Sequence, residues 1–171
     1  VVAVSLKKTL VRTRLFEPLR MDRAGFGPPA AVVLSEPWGH VAEPNDPAVP
    51  IDPSGPGADN PPGLGPAGTV HASISDLARY AGVWADEGAP LISSESFEVI
   101  TSEVSDGFAL GWVVAADDGA QELVHDGSNT MFYSTVRISP ARDRGLVVVA
   151  NSGAAQPLVN DLADHILSRY R

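Results

Sequence analysis

The 171 residues (17.9 kDa) suffice for one domain with a core of its own, and 44% hydrophobic against 19% charged residues is a globular composition. The absence of Cys excludes disulfide scaffolds, Cys-ligated zinc, iron–sulfur sites and a cysteine nucleophile, and no run of about 18 apolar residues is present to span a membrane. A net charge of −9 repels phosphate backbones, so nucleic acid is not an expected partner.

The chain opens Val1-Val2-Ala3-Val4 and turns basic only afterwards, at Lys7, Lys8, Arg12 and Arg14. A secretory signal carries its charge first, so this segment is not read as one. With no initiator Met, the chain reads as cut or processed from something longer. Leu6, Leu10, Val11 and Leu15 recur at helical spacing with a basic back, and Pro18 ends the pattern. Such a helix either lies on a membrane surface or packs with its charged face in water; the second is the expectation. Eleven of the fifteen prolines fall between Pro28 and Pro66. Without donors or a periodic pattern, residues 28–66 read as one long meandering loop of the kind that covers functional sites. No P-x-x-P array with basic flanks points to an SH3-type ligand.

Order is expected again from Ala67 onward. Ser73 with Asp76 has the spacing of a capping box, opening a helix with Leu77, Tyr80, Ala81 and Trp84 on one side. Gly88 and Pro90 end it, and Ser93 or Ser94 caps a shorter helix through Phe97 and Ile100. Phe108, Leu110, Trp112 and Val114 alternate as a strand does, and Asp118-Gly119 supplies a turn. Glu122 to His125 and Met131 to Ile138 read as further strands, separated by polar turns from an apolar strand, residues 145–150, expected to be buried on both faces. Pro157 opens a last helix with Leu158, Leu162 and Ile166 stacked. Helices, an antiparallel meander and one closing helix make an α+β class.

Four histidines offer chemistry. His165 reads as a surface residue and His71 as a loop hydrogen-bonder, while His40 lies in the Pro/Gly loop. With no Cys and no His-x-x-x-His or His-Glu spacing, no metal or other cofactor is expected. His125 begins the run His125-Asp126-Gly127-Ser128-Asn129 at a strand end, which is either a β-turn with Asp126-Gly127 at its corner or the edge of a site.

Several segments in order resemble the C-terminal half of the serine β-lactamase-like hydrolases, a family of class C β-lactamases, penicillin-binding-type peptidases and esterases. Leu15-Phe16-Glu17-Pro18-Leu19-Arg20-Met21 with Gly25-Phe26-Gly27 resembles that family's "LFEPLGM…TGFG", with Arg20 in place of Gly. Pro66-Ala67-Gly68 with residues 73–80 resembles "PAG…S..DLARF", Phe108 to Trp112 resembles "YALGW", and Gly145 to Asn151 resembles "GIVVLAN". The His125 run falls at the family's third motif, Lys-Thr-Gly or His-x-Gly.

The resemblance implies a partial β-lactamase-like (transpeptidase-like) fold with the N-terminal half absent. Three antiparallel strands and a C-terminal helix of the sheet domain would be present, residues 1–27, 28–66, 67–105 and 106–171 forming successive parts of one domain. It implies acyl transfer on a small ester, amide or peptide substrate. His125 would be the polar partner, Gly127 the clearance residue, and Ser128 a backbone donor to the oxyanion. Asp126 and Asn129 would contact substrate; an acid at 126 would repel a substrate carboxylate, favouring an esterase or amidase. The family's nucleophile motif, Ser-x-x-Lys, matches only Ser5-Leu6-Lys7-Lys8, too close to the "LFEPL" segment to leave room for a Tyr-x-Asn motif; neither Tyr80 nor Tyr133 has Asn two residues on. The chain is therefore expected to be inactive alone, a catalytic half or a non-catalytic binding module. The apolar strand 145–150 would keep an open edge for the missing half or a second copy. Absence of Cys fits an exported or a cytoplasmic setting equally.

Overall fold

The computed structural model describes residues 2–31, 33–42 and 46–170. Helix α1 (Val2–Val11) widens into a π-helical turn, Arg12–Phe16, closed by Glu17 N donating to Arg12 O at 2.9 Å. Of the expected apolar stripe, Leu6 and Leu10 are exposed; Val11 and Leu15 pack with buried Phe16, Leu19 and Met21. Val1 lies outside the described residues.

The Pro/Gly segment is more structured than a featureless loop. Strand β1 (Gly25–Phe26) precedes a miniature ladder of β2 (His40–Val41) with β3 (Val49–Pro50), and β4 (Val70–His71) returns to pair antiparallel with β1. Helix α2 (Ile74–Ala85) starts at Ser73, whose hydroxyl accepts from Asp76 N at 3.2 Å. Only half of the capping box forms. The buried Asp76 carboxylate accepts instead from Arg23 N at 3.0 Å and pairs with Arg79 at 2.6 Å, fastening α2 to the N-terminal segment. That helix is buried on two sides, through Ala81 and Trp84 toward the sheet and through Val83 and Tyr80 toward Phe16 and Met21. Helix α3 (Ser94–Thr101) is capped by Ser93, which accepts from Ser96 N.

The sheet has four strands rather than three: β5 (Val113–Asp117), β6 (Ala120–Ser128), β7 (Tyr133–Ser139) and β8 (Arg144–Ala150), antiparallel in that order. Leu123 and Ile138 stand opposite each other, both fully buried, each burial stabilising by about 1.5–3 kcal/mol. They share a core with Ala81, Phe97, Trp112 and Val136, so this face packs on α2 and α3. Alternate residues face α4 (Gln156–Ser168): Tyr133 bonds Asn160 and Arg137 lies 3.9 Å from Asp164.

Three local expectations are corrected. Phe108–Trp112 is not a strand: positive φ at Gly107 (80°) and Gly111 (89°) curls it, leaving Phe108 and Leu110 exposed while Trp112 is buried. Strand β8 is not covered on both faces; it is the last strand of the sheet, half-buried overall, with Val149 exposed. In α4 the buried stripe is Val159, Ala163 and Leu167, and Leu158 is 71% exposed. That rotation aims Asn160 at Tyr133, a partner that helical periodicity cannot see.

A charged cluster closes the far end of the sheet. Buried Asp117 accepts from Arg142 at 2.5 Å and from Arg144 at 3.0 Å. Nearby Glu122 has its carboxyl pushed above the ordinary range by burial; Asp117 and Asp164 act in the same direction, Arg137 and Arg144 against it. A raised carboxyl favours the folded state below the ordinary carboxylate pKa, and that contribution is lost as pH rises through the folded value. Glu122→Gln is therefore expected to match the parent at roughly pH 4 and to melt higher than the parent near pH 7, measured by thermal unfolding across that range. A gap that narrows with rising pH would contradict this.

Candidate active site

His125 lies on β6 at the point where its neighbour on one side gives out. Strand β5 pairs only as far as Val113 opposite Val124, because the curl at 107–112 turns away. From His125 to Ser128, β6 is paired to β7 alone among the described residues, so its other edge is open. The imidazole is exposed. Its Nδ1 lies 2.8 Å from Gly111 O, and its ring meets the Trp112 indole edge-on, 6.0 Å between centroids at 78°.

Strand alternation divides the other expected site residues. Gly127 shares the face of His125, opposite Ser134. Its φ is not positive, and a Cβ built there would meet nothing closer than Ser134 Oγ at 3.8 Å. Neither backbone conformation nor internal packing therefore demands glycine at this position. Asp126 points the other way, on the face of α4, beside the Tyr133 hydroxyl; burial first, and that carboxylate with it, push the Tyr133 phenol up. The period of two thus sets the Asp126 side chain on the face of β6 away from His125.

Ser128 and Asn129 have their side chains engaged in the hairpin that joins β6 to β7. Ser128 Oγ donates to Phe132 O at 2.8 Å and accepts from Thr130 N at 2.9 Å. Asn129 Oδ1 accepts from the backbone of Met131 and Phe132, and its Nδ2 donates to Asp59 at 3.1 Å. Asn129 is thus a loop-former that ties the hairpin to the Pro/Gly segment. Sequence reasoning missed the residues on the receiving side. Gly39 packs so closely that a Cβ would come within 2.7 Å of Met131 and Phe132, and one on Gly153 would strike the Thr130 carbonyl. His40 N donates to Met131 O at 3.1 Å and to Asn151 O at 2.9 Å, completing the anchorage. Glycines set against a hairpin rather than in a turn leave no local signal.

The remaining histidines lie in other settings. His71 Nδ1 lies 2.6 Å from Gly27 O, His40 Nδ1 3.0 Å from Asn151 O, and His165 sits exposed on α4. Among the described residues no three His, Asp or Glu side chains are grouped to hold a metal ion, and no helix is long and apolar enough to cross a membrane. Ser5 is exposed on α1, and Lys8 Nζ sits 5.2 Å from the centre of the Phe26 ring.

The chain is similar to several known proteins. The chain is 26% identical over 173 residues to penicillin-binding protein 4 of Amycolatopsis lactamdurans, covering 92% of this chain and 44% of that protein. The D-amino acid amidase of Ochrobactrum anthropi SV3 superposes with a TM-score of 0.69 at 16% identity, covering 95% of this chain and 52% of the amidase. An octameric penicillin-binding protein homologue from Pyrococcus abyssi gives 0.67 at 22% identity, covering 85% and 33%. This chain therefore spans about half or less of the length of these relatives, and its fold is a part of theirs. The Beta-lactamase family model matches residues 7–170, nearly the whole length. The chain belongs to the beta-lactamase family, whose α+β fold it carries in part.

Proposed function

We propose that this chain is the C-terminal half of a serine hydrolase that transfers the acyl group of an ester or amide to water. The nucleophile, with its Ser-x-x-Lys and Tyr-x-Asn motifs, would lie on a segment outside these residues. The observation that carries the reading is the open edge of β6 from His125 to Ser128, with an exposed, held imidazole at its start. An extended acyl group can lie along such an edge and take backbone hydrogen bonds from it. Gly127 supports the same reading, since nothing inside the chain requires its missing side chain. The role falling to Ser128 is its backbone N–H, its hydroxyl being engaged within the hairpin. The likeness to a penicillin-binding protein and to a D-amino acid amidase supports amide or ester chemistry.

Alone, the chain is proposed to be inactive, with Ser5 no nucleophile: Lys8 turns to Phe26, and α1 is exposed on its Ser5 side. The outer edge of β8 is proposed as the seam to the rest of the enzyme. It lacks a neighbouring strand among the described residues, and an open groove of about 290 Å³ runs beside it, lined by Ala78, Ala81, Gly82, Ala85, Gly145 and Val147.

The test is to assay p-nitrophenyl acetate and a D-amino acid amide with this chain alone, then with it joined to an upstream segment bearing Ser-x-x-Lys. Hydrolysis with an acyl-enzyme burst is expected only in the joined protein. A burst from the 171 residues alone would overturn the reading of Ser5; no turnover by the joined protein would favour the non-catalytic binding module.

A further inference from the structure

We infer that Gly111 and Trp112 are positioning residues that hold His125 as its Nδ1–H tautomer, leaving the lone pair on Nε2. The inference rests on the proposed site at His125 and specifies which ring nitrogen is available there.

The chemistry of the acceptor decides the tautomer. A backbone carbonyl only accepts, so the 2.8 Å contact between Gly111 O and Nδ1 requires the hydrogen to be on Nδ1. A neutral imidazole carries one N–H, so Nε2 is then a proton acceptor. Free imidazole side chains in water favour hydrogen on Nε2, the opposite arrangement. The curl that presents the carbonyl is braced on both sides: Leu110 N donates to Ile100 O at 3.1 Å, Ala109 N to Trp112 O at 2.8 Å, and Gly111 N to Ala109 O at 3.0 Å. Gly111 adopts φ of 89°, which side-chain-bearing residues rarely adopt. The ring is held against rotation by Trp112, itself buried and packed edge-on against Trp84 of α2 at 4.9 Å. The path from α2 through two tryptophans to the imidazole is thus rigid core, while Nε2 has no partner among the described residues.

The consequence is a role different from that of a Lys at the same motif position. A lysine ammonium can only donate; a neutral His125 held this way accepts a proton at Nε2 and becomes an imidazolium whose Nδ1–H stays bonded to Gly111.

Long-range ¹H–¹⁵N correlation of the whole labelled chain, at a pH where imidazoles are neutral, reads the tautomer directly; the spectrum of His125→Gln assigns the His125 signals by their loss. The expected pattern has hydrogen on Nδ1. Two glycine variants isolate the cause. A Cβ at Gly111 meets nothing within 4 Å, so Gly111→Ala acts only through its positive φ, displacing the carbonyl. Gly119→Ala imposes the same kind of strain at φ of 78°, again with nothing within 4 Å, in the β5–β6 turn. His125 is expected to shift toward the Nε2–H pattern in Gly111→Ala and to be unchanged in Gly119→Ala. Hydrogen on Nε2 in the parent chain, an unchanged pattern in Gly111→Ala, or an equal change in both variants would each overturn the inference. The spectrum requires no turnover, so the inference can fail while the hydrolase reading stands, and the reverse.

Discussion

In the proposed hydrolase, this chain joined to its nucleophile-bearing segment, His125→Ala is expected to lower kcat/KM for p-nitrophenyl acetate by roughly 10²–10⁴-fold, the range over which one positioned proton-transfer group acts. The argument is one of placement. His125 stands at the first position of β6 without a β5 partner, its Nδ1 is engaged by Gly111 O, and its ring rests on Trp112. Because the side chain is exposed, its loss should leave the melting temperature close to that of the parent. A kinetic loss without a stability loss is the distinguishing result. His125→Gln, which lacks a titrating nitrogen but keeps a polar end, is expected to remain impaired. An alanine variant with parental kcat/KM would remove His125 from the mechanism.

Asp117→Ala should be the most destabilising single change at a charged position, costing about 3–5 kcal/mol. One buried carboxylate serves two guanidinium groups, Arg142 at 2.5 Å and Arg144 at 3.0 Å, and Arg142 also donates to Asp117 O at 2.9 Å. Removing the carboxylate leaves two largely enclosed guanidinium groups, with side chains only 24% and 16% exposed, held by weaker partners: Asp118 at 3.9 Å from Arg142, and Tyr170 O, which accepts from Arg144 at 3.0 Å. Since a domain is stable by about 5–15 kcal/mol in total, such a loss consumes much of the margin. Urea unfolding is the measurement. Replacing all three residues together by apolar ones of similar size should cost far less than Asp117→Ala, because the penalty lies in the unpaired charge rather than in the absent ion pairs. A loss below about 1 kcal/mol for Asp117→Ala would show that water screens the arginines despite their burial.

Much of the local structure was legible because its causes are local. Ser73 and Ser93 cap helices through bonds to residues three positions on, Asp118-Gly119 turns a hairpin with both residues at positive φ, and Pro157 begins α4 where its missing donor costs nothing. Reading failed where two patterns compete. The alternation of Phe108, Leu110 and Trp112 is a strand's, yet Gly107 and Gly111 permit a curl that buries Trp112 against Trp84 instead.

By itself the sequence determined the α+β class, the order of most elements, and the family, since the motifs recur in order along the chain and a family match spans residues 7–170. The tertiary structure alone decided which residues meet. That Asp126 turns to Tyr133 while His125 turns to Trp112 depends on which face of β6 each helix covers. That Asn129 is held by Asp59, and His40 by Asn151, depends on contacts 70 and 111 residues apart. Capping and turn chemistry act within about four residues and leave a mark in the sequence. Side-chain partners across a sheet are chosen by packing, which no short window of residues records.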